Sequence, residues 1–260
     1  MKKIITLCLI VALAITAVTG ATLAYFTDTD EATNTFTVGG VAIALHESNK
    51  ESDVAEGEDV DVDDDYQEWL EDQVLMPGDN QTNTVSKVVT VQNTGKSDSY
   101  VRVHIAIPSV LDDGADTFDA SSNLLHFNSY ADSYVDGKWN WGKKVTTGRT
   151  NFVGAGDTWN FYTTTISDIS YNVYVVTYET ALAPNATTLS AMHQVYLYKD
   201  VTNADIDKAN ETLKGNWNIK IIAEGTQTEG FTDAFNALNT SFGTPTTAAN
   251  PWNNYGKSTA

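Results

Sequence analysis

The chain has 260 residues, with 34 Asp and Glu against 15 Lys and Arg, a formal charge of −19. An apolar fraction of 42%, with 6 Trp, 12 Tyr and 9 Phe, excludes a disordered chain, because that much apolar surface can be buried to offset ordering entropy. The acidic excess excludes a nucleic-acid binder and disfavours docking on anionic lipid, both of which need clustered Lys and Arg.

Lys2 and Lys3 precede an apolar run from Ile4 to Val18, which small residues follow up to Ala24. A charged start, a 15-residue apolar stretch and small residues before a cleavage point read as a secretory signal over residues 1–24. Cutting between Ala24 and Tyr25 is the preferred site; cutting after Ala21 is the alternative, and a retained membrane anchor is a third reading. The only cysteine, Cys8, lies inside this stretch. The processed chain then carries 13 basic and 34 acidic side chains, a charge of −21, and no thiol. Disulfides, Cys-ligated zinc and thiol catalysis are therefore not expected.

Residues 25–45 form an N-terminal strand segment. Phe36 and Val38 share one face; Val41, Ile43 and Leu45 share another. The Gly39-Gly40 pair between them allows a kink that resets the phase. Residues 46–74 are an acidic linker or loop: 12 acids and no base lie between Glu51 and Asp72. The β-sandwich core is expected over residues 75–243. Its strands are Thr84–Gln92, Ser99–Ile107, Thr158–Ile166, Tyr171–Tyr178, Gln194–Tyr198 and Trp217–Ala223, rich in β-branched and aromatic residues. Val101, Val103, Ile105 and Ile107 alternate with Arg102 and His104, which predicts a sheet with one wet face. Leu111–Gly156 reads as hairpins or loops.

Two short helices are expected. One spans Thr202–Leu213, capped by Thr202 or Asn203; the other spans Phe231–Leu238, capped by Thr232. Residues 244–260 read as a flexible tail. The fold class is all-β, a single β-sandwich of jelly-roll or immunoglobulin-like type with one or two short helices in its connections.

Three separated stretches resemble one family. The signal running into Ala24-Tyr25-Phe26-Thr27-Asp28, followed by Ala32 to Gly39, is similar to the export signal and mature start of the TasA and camelysin proteins. Leu75-Met76-Pro77-Gly78-Asp79 with Val89 to Gly95 is similar to that family's "PGD, strand, N-x-G" element. Ile219 to Glu224 with Gln227, Gly230 and Phe231 resembles its "A-E-x-x-Q-x-x-G-F" ending. The middle of the chain, about Leu111 to Ser190, matches nothing in the family, and the acidic segment is longer than the usual linker. The resemblance implies a jelly-roll subunit of a biofilm-matrix fibre, secreted by a Gram-positive cell and processed by the signal peptidase SipW. It would be extracellular or on the cell surface, touching a membrane only through its uncleaved signal. The implied partners are further copies of the chain: the N-terminal strand of one subunit inserts into the next, head to tail.

The residues themselves support strand addition. An isolated segment with alternate apolar positions suits an open sheet edge, with Phe36, Val38, Val41, Ile43 and Leu45 as the side chains that fill pockets. The other reading is that this strand pairs within its own domain.

Camelysin is described as a casein-cleaving metalloprotease, which implies a second function. His46, His104, His126 and His193 are far apart in sequence, and His46-Glu47 is followed by no second His, so no zinc-hydrolase motif is present. No catalytic residue is assigned and no cofactor is expected. Asp59, Asp61, Asp63 and Asp65 are weak calcium candidates, because hard carboxylates alternate there; the EF-hand Gly and Glu are missing, and a solvated loop is the alternative. Trp139 and Trp141, with Tyr130 and Tyr134, could line a sugar platform in a monomeric carbohydrate-binding sandwich; core or cross-strand aromatics are the alternative.

Overall fold

The computed structural model describes residues 27–31, 40–48, 74–79, 82–114, 123–127, 138–141, 161–215 and 217–254. The strands are β1 (Thr27–Glu31), β2 (Ile43–Ser48), β3 (Pro77–Gly78), β4 (Val85–Asn93), β5 (Ser99–Pro108), β6 (Leu125–Phe127), β7 (Trp139–Asn140), β8 (Phe161–Ile166), β9 (Ile169–Tyr178), β10 (Met192–Tyr198) and β11 (Lys220–Gln227). The helices are α1 (Asn203–Leu213) and α2 (Ala234–Phe242), followed by a 3-10 turn over Pro251–Asn254. The fold is therefore predominantly β, with two sheets and two short helices.

The first sheet runs β1-β11-β5-β9-β7, with β8 also on β9; the second runs β2-β4-β10-β3, with β6 also on β10. All pairings are antiparallel except β3 on β10. The alternation in β5 gives the inner face. Val101, Val103, Ile105 and Ile107 join Tyr174, Val176 and Ile221 from their own sheet. They pack in one cluster with Ile43, Leu45, Val89, Val91, Val195 and Leu197 from the other. Each such side chain contributes about 1.5–3 kcal/mol by leaving water.

The other face of the first sheet is not wet, contrary to the reading of Arg102 and His104. Arg102 is 2% exposed and His104 0%. The reason lies downstream: α2 and the segment after it cover this face. Ala106, Tyr162, Tyr171, Val173, Val175 and Ile222 form a second apolar cluster with Trp252. The tail expected to be flexible from residue 244 instead places Trp252 in this cluster, 4% exposed; residues 255–260 lie outside the described set.

Both helices follow local signals. Thr202 caps α1, and a reciprocal box with Asp205 satisfies orphan N–H groups at its start. The second helix begins later than expected. Asp233, not Thr232, accepts from the Asn236 N–H at 2.8 Å and so sets the start of α2, which ends at Phe242.

The aromatic residues proposed as a sugar platform belong to the core where they are described. Trp139 is 4% and Trp141 5% exposed. The Trp139 indole donates to the Leu189 carbonyl at 2.7 Å, and the Trp141 ring stacks on Phe127 at 5.5 Å. Tyr130 and Tyr134 lie outside the described residues.

His126 on β6 is sandwiched by Tyr196 and Tyr198, with ring centroids 5.5 and 5.2 Å away. Burial pushes its pKa down to about 4. An unfolded chain binds this proton near pH 6.5, the folded chain only near 4. Its contribution to stability is thus complete above pH 6.5 and lost as pH falls towards 4, by ~3 kcal/mol in all. Asp112, whose carboxyl burial raises to about 6, has the opposite slope between its ordinary value and 6. Comparison with a variant isolates the histidine. His126→Phe keeps the ring stack and should lose less stability than the parent between pH 7 and 5 in urea melts. Identical losses would contradict this assignment.

Candidate functional site

Residues 27–31 and 40–48 lie at the sheet edges. β1 forms one edge of the first sheet, pairing with β11 from Thr27↔Thr226 to Glu31↔Ile222. β2 forms an edge of the second, pairing with β4 from Ile43↔Asn93 to Ser48↔Val88. One short N-terminal segment thus closes an edge on both sheets. Its backbone satisfies the N–H and C=O groups that β11 and β4 would otherwise present as templates for another chain.

The receiving surface, or seat, is built from three features. The first is the N-x-G turn after β4. Asn93 is fully buried and acts as its hub. Its side-chain amide donates to the Ser97 and Leu182 carbonyls, both at 2.8 Å, and its Oδ1 accepts from the Gly95 N–H at 2.9 Å. So braced, the turn presents the N–H groups of Gly95 and Lys96 to the carbonyls of Ala42 and Gly40, at 3.0 and 2.8 Å. Position 95 must be glycine, because a Cβ there would lie 2.5 Å from the Gly40 oxygen. Gly40 itself, at φ +98°, makes the bend that the Gly pair in the sequence suggests.

The second feature is Gly225 in mid-β11, an unusual place for glycine unless something approaches closely. A Cβ there would lie 2.8 Å from Ile43 Cγ2. Ile43, fully buried, is therefore a knob from one sheet seated in a notch of the other. The third feature is charge. Glu47 of β2 pairs with the ammonium of Lys87, whose side chain is only 4% exposed. On the opposite face of β2, His46 meets Gln92 at 3.3 Å; burial lowers its pKa, partly opposed by that hydrogen bond.

Of the side chains expected to fill pockets, Val41, Ile43 and Leu45 are buried in the seat. Phe36 and Val38 lie outside the described residues, as do Ala24, Tyr25, and Asp59, Asp61, Asp63 and Asp65. Gly225 and Lys87 were not singled out by the sequence. The glycine interrupting the strand run KIIAEGTQ was the available signal.

A second polar cluster lies under α2. Arg102 Nε donates to Glu224 Oε2 at 2.5 Å, and His104 bridges Glu224 and the Tyr162 hydroxyl, both at 3.1 Å. Arg102 also donates to Asn239 Oδ1 at 3.0 Å and to the Gly243 carbonyl at 3.1 Å, which ties the C-terminal cover to the sheet. Burial lowers the His104 pKa. Burial alone would raise Glu224, but the His104 hydrogen bond and the charges of its neighbours outweigh it and hold the carboxyl low. Arg102, His104, Glu224 and Tyr162 are buried, and the cluster braces the cover against the sheet.

The PGD element is also structural. Asp79 Oδ1 accepts from the N–H and hydroxyl of Thr82, both at 2.9 Å, and a Cβ at Gly78 would lie 2.1 Å from the Thr82 carbonyl oxygen. Among the described residues, no three His, Cys, Asp or Glu side chains converge as a metal site. Among them too, no helix is long and apolar enough to cross a membrane. No protein-family model, curated protein or solved structure matches the chain.

The seat makes a local prediction. Gly95→Ala should expel residues 40–48, seen as faster hydrogen exchange in peptides covering β2 while β5 and β9 keep their protection. Unchanged exchange in β2 would show that the close approach at Gly95 does not matter.

Proposed function

We propose that this chain is a secreted structural subunit of an extracellular or cell-surface fibre of the biofilm-matrix type, with a jelly-roll-type sandwich as its body. In the fibre, residues 27–48 of one subunit occupy the β11 and β4 edges of the next. The observation that carries this reading is that one contiguous N-terminal segment closes an edge on both sheets, in a seat with glycines where the strand comes closest. A segment placed this way can be exchanged between copies with its contacts unchanged, so the intrachain arrangement describes the interchain one as well.

Two sequence features support exchange over self-closure. The 28 residues between β2 and β3 can reach up to about 95 Å when extended, enough to span a neighbouring domain. The 12 acids within them oppose collapse onto a body that is itself net acidic. Removal of the N-terminal signal by a SipW-type peptidase would gate the step, because an uncleaved chain is held at the membrane. Head-to-tail insertion does not close on itself, so it gives filaments.

The processed chain starting at Tyr25 should form filaments visible by electron microscopy, and a chain starting at Lys50 should not. Adding a peptide of residues 25–48 to the shortened chain should raise its melting temperature. Filaments from the shortened chain, or a monomeric processed chain at high concentration, would sink the proposal.

A further inference from the structure

Gly225 has no backbone reason to be glycine. Its φ lies outside the left-handed region, and it sits in mid-β11 between Asp28 of β1 and Val101 of β5. Glycine in such a place weakens a strand. The inward side chains of β11 shrink from Ile221 through Ala223 to none at Gly225. The sheet surface thus steps down to bare backbone where Ile43 arrives from the other sheet. A Cβ at Gly225 would lie 2.8 Å from Cγ2, 3.2 Å from Cδ1 and 3.5 Å from Cγ1 of Ile43.

Neither side of this contact yields readily. Ile43 is β-branched, so Cγ2 is carried on the branching carbon and χ1 is stiff. The floor of the notch is main chain held between two neighbouring strands, not a side chain that can swing aside. The notch therefore has a fixed depth: a larger side chain at position 43 meets backbone, and a smaller one leaves a cavity. We infer that Gly225 is the specificity-determining residue of the seat, reading the size of the side chain three residues after the Gly40 bend of the incoming segment. β1 of that segment lies beside the same glycine through Asp28, so both of its strands meet there. The partner carrying the matching knob is a second copy of this chain. This inference rests on the fibre reading and adds to it how the seat recognises its partner.

Size exchange in the full processed chain tests it, with parent filaments as the reference. Gly225→Ala overfills the notch, and Ile43→Ala empties it. Each alone should raise the critical concentration for filaments by about 10-fold or more. An equimolar mixture should assemble at a lower total concentration than either variant. In the mixture, the intact knob of the first variant enters the intact notch of the second, and the overfilled notch receives the trimmed side chain.

If Gly225→Ala assembles like the parent, the notch reads nothing and the inference falls while the fibre reading stands. If the mixture does no better than its components, the inference also falls. The double variant Gly225→Ala/Ile43→Ala then decides how far the failure reaches. If it melts higher than Gly225→Ala, the contact lies within one chain and interchain strand exchange falls as well; if it does not, the fibre reading stands.

Discussion

Everything proposed for this protein depends on one constraint: the backbone groups at a sheet edge must be paired, covered or guarded. Here β11 and β4 are covered by a single segment that lies before the rest of the domain in sequence and is joined to it by 28 residues, 12 of them acidic. Closure by a segment that is contiguous, terminal and long-tethered differs from closure by a strand embedded in the fold. The first can be supplied by any copy; the second cannot.

The inner faces of both sheets and the outer face of the first are closed. The inner faces of the two sheets meet in one apolar cluster. The outer face of the first sheet is covered by α2 and the Trp252 segment, fastened by Arg102 and Glu224. A buried ion pair of this kind is weak evidence for stability, since desolvation offsets much of its attraction. Its value is geometric: Arg102 binds a carboxylate, an amide and a carbonyl on separate elements, which fixes where the cover sits.

Much of the fold was legible in the sequence because it is written in local patterns. Alternation in SYVRVHIAI placed β5, and Thr202 with Asp205 placed α1, because a two-residue period and a capping box are properties of neighbouring residues. The burial of Arg102 and His104 was not legible. A charged residue between valines looks the same whether water or a helix 130 residues later covers it. Trp139 and Trp141 were ambiguous for the same reason, since exposure is set by distant segments. In the candidate site, the apolar row Val41, Ile43 and Leu45 could be read, as could the N-x-G turn. What the turn is for could not, because its function is to dock Gly40 and Ala42 through tertiary hydrogen bonds. Likewise Lys87 gave no sign that its partner was Glu47, 40 residues earlier.

The central claim is that β2 pairs with the β4 strand of another copy, and the register gives a direct measurement of it. Ala44 lies opposite Gln92, and Cys8, in the expected signal, is the chain's only cysteine. A processed chain carrying Ala44→Cys and Gln92→Cys therefore has no other thiol to confuse the result. Oxidised filaments run on a denaturing, non-reducing gel should give a ladder of covalent dimers, trimers and longer species. Filaments yielding only internally bridged monomers would contradict the account.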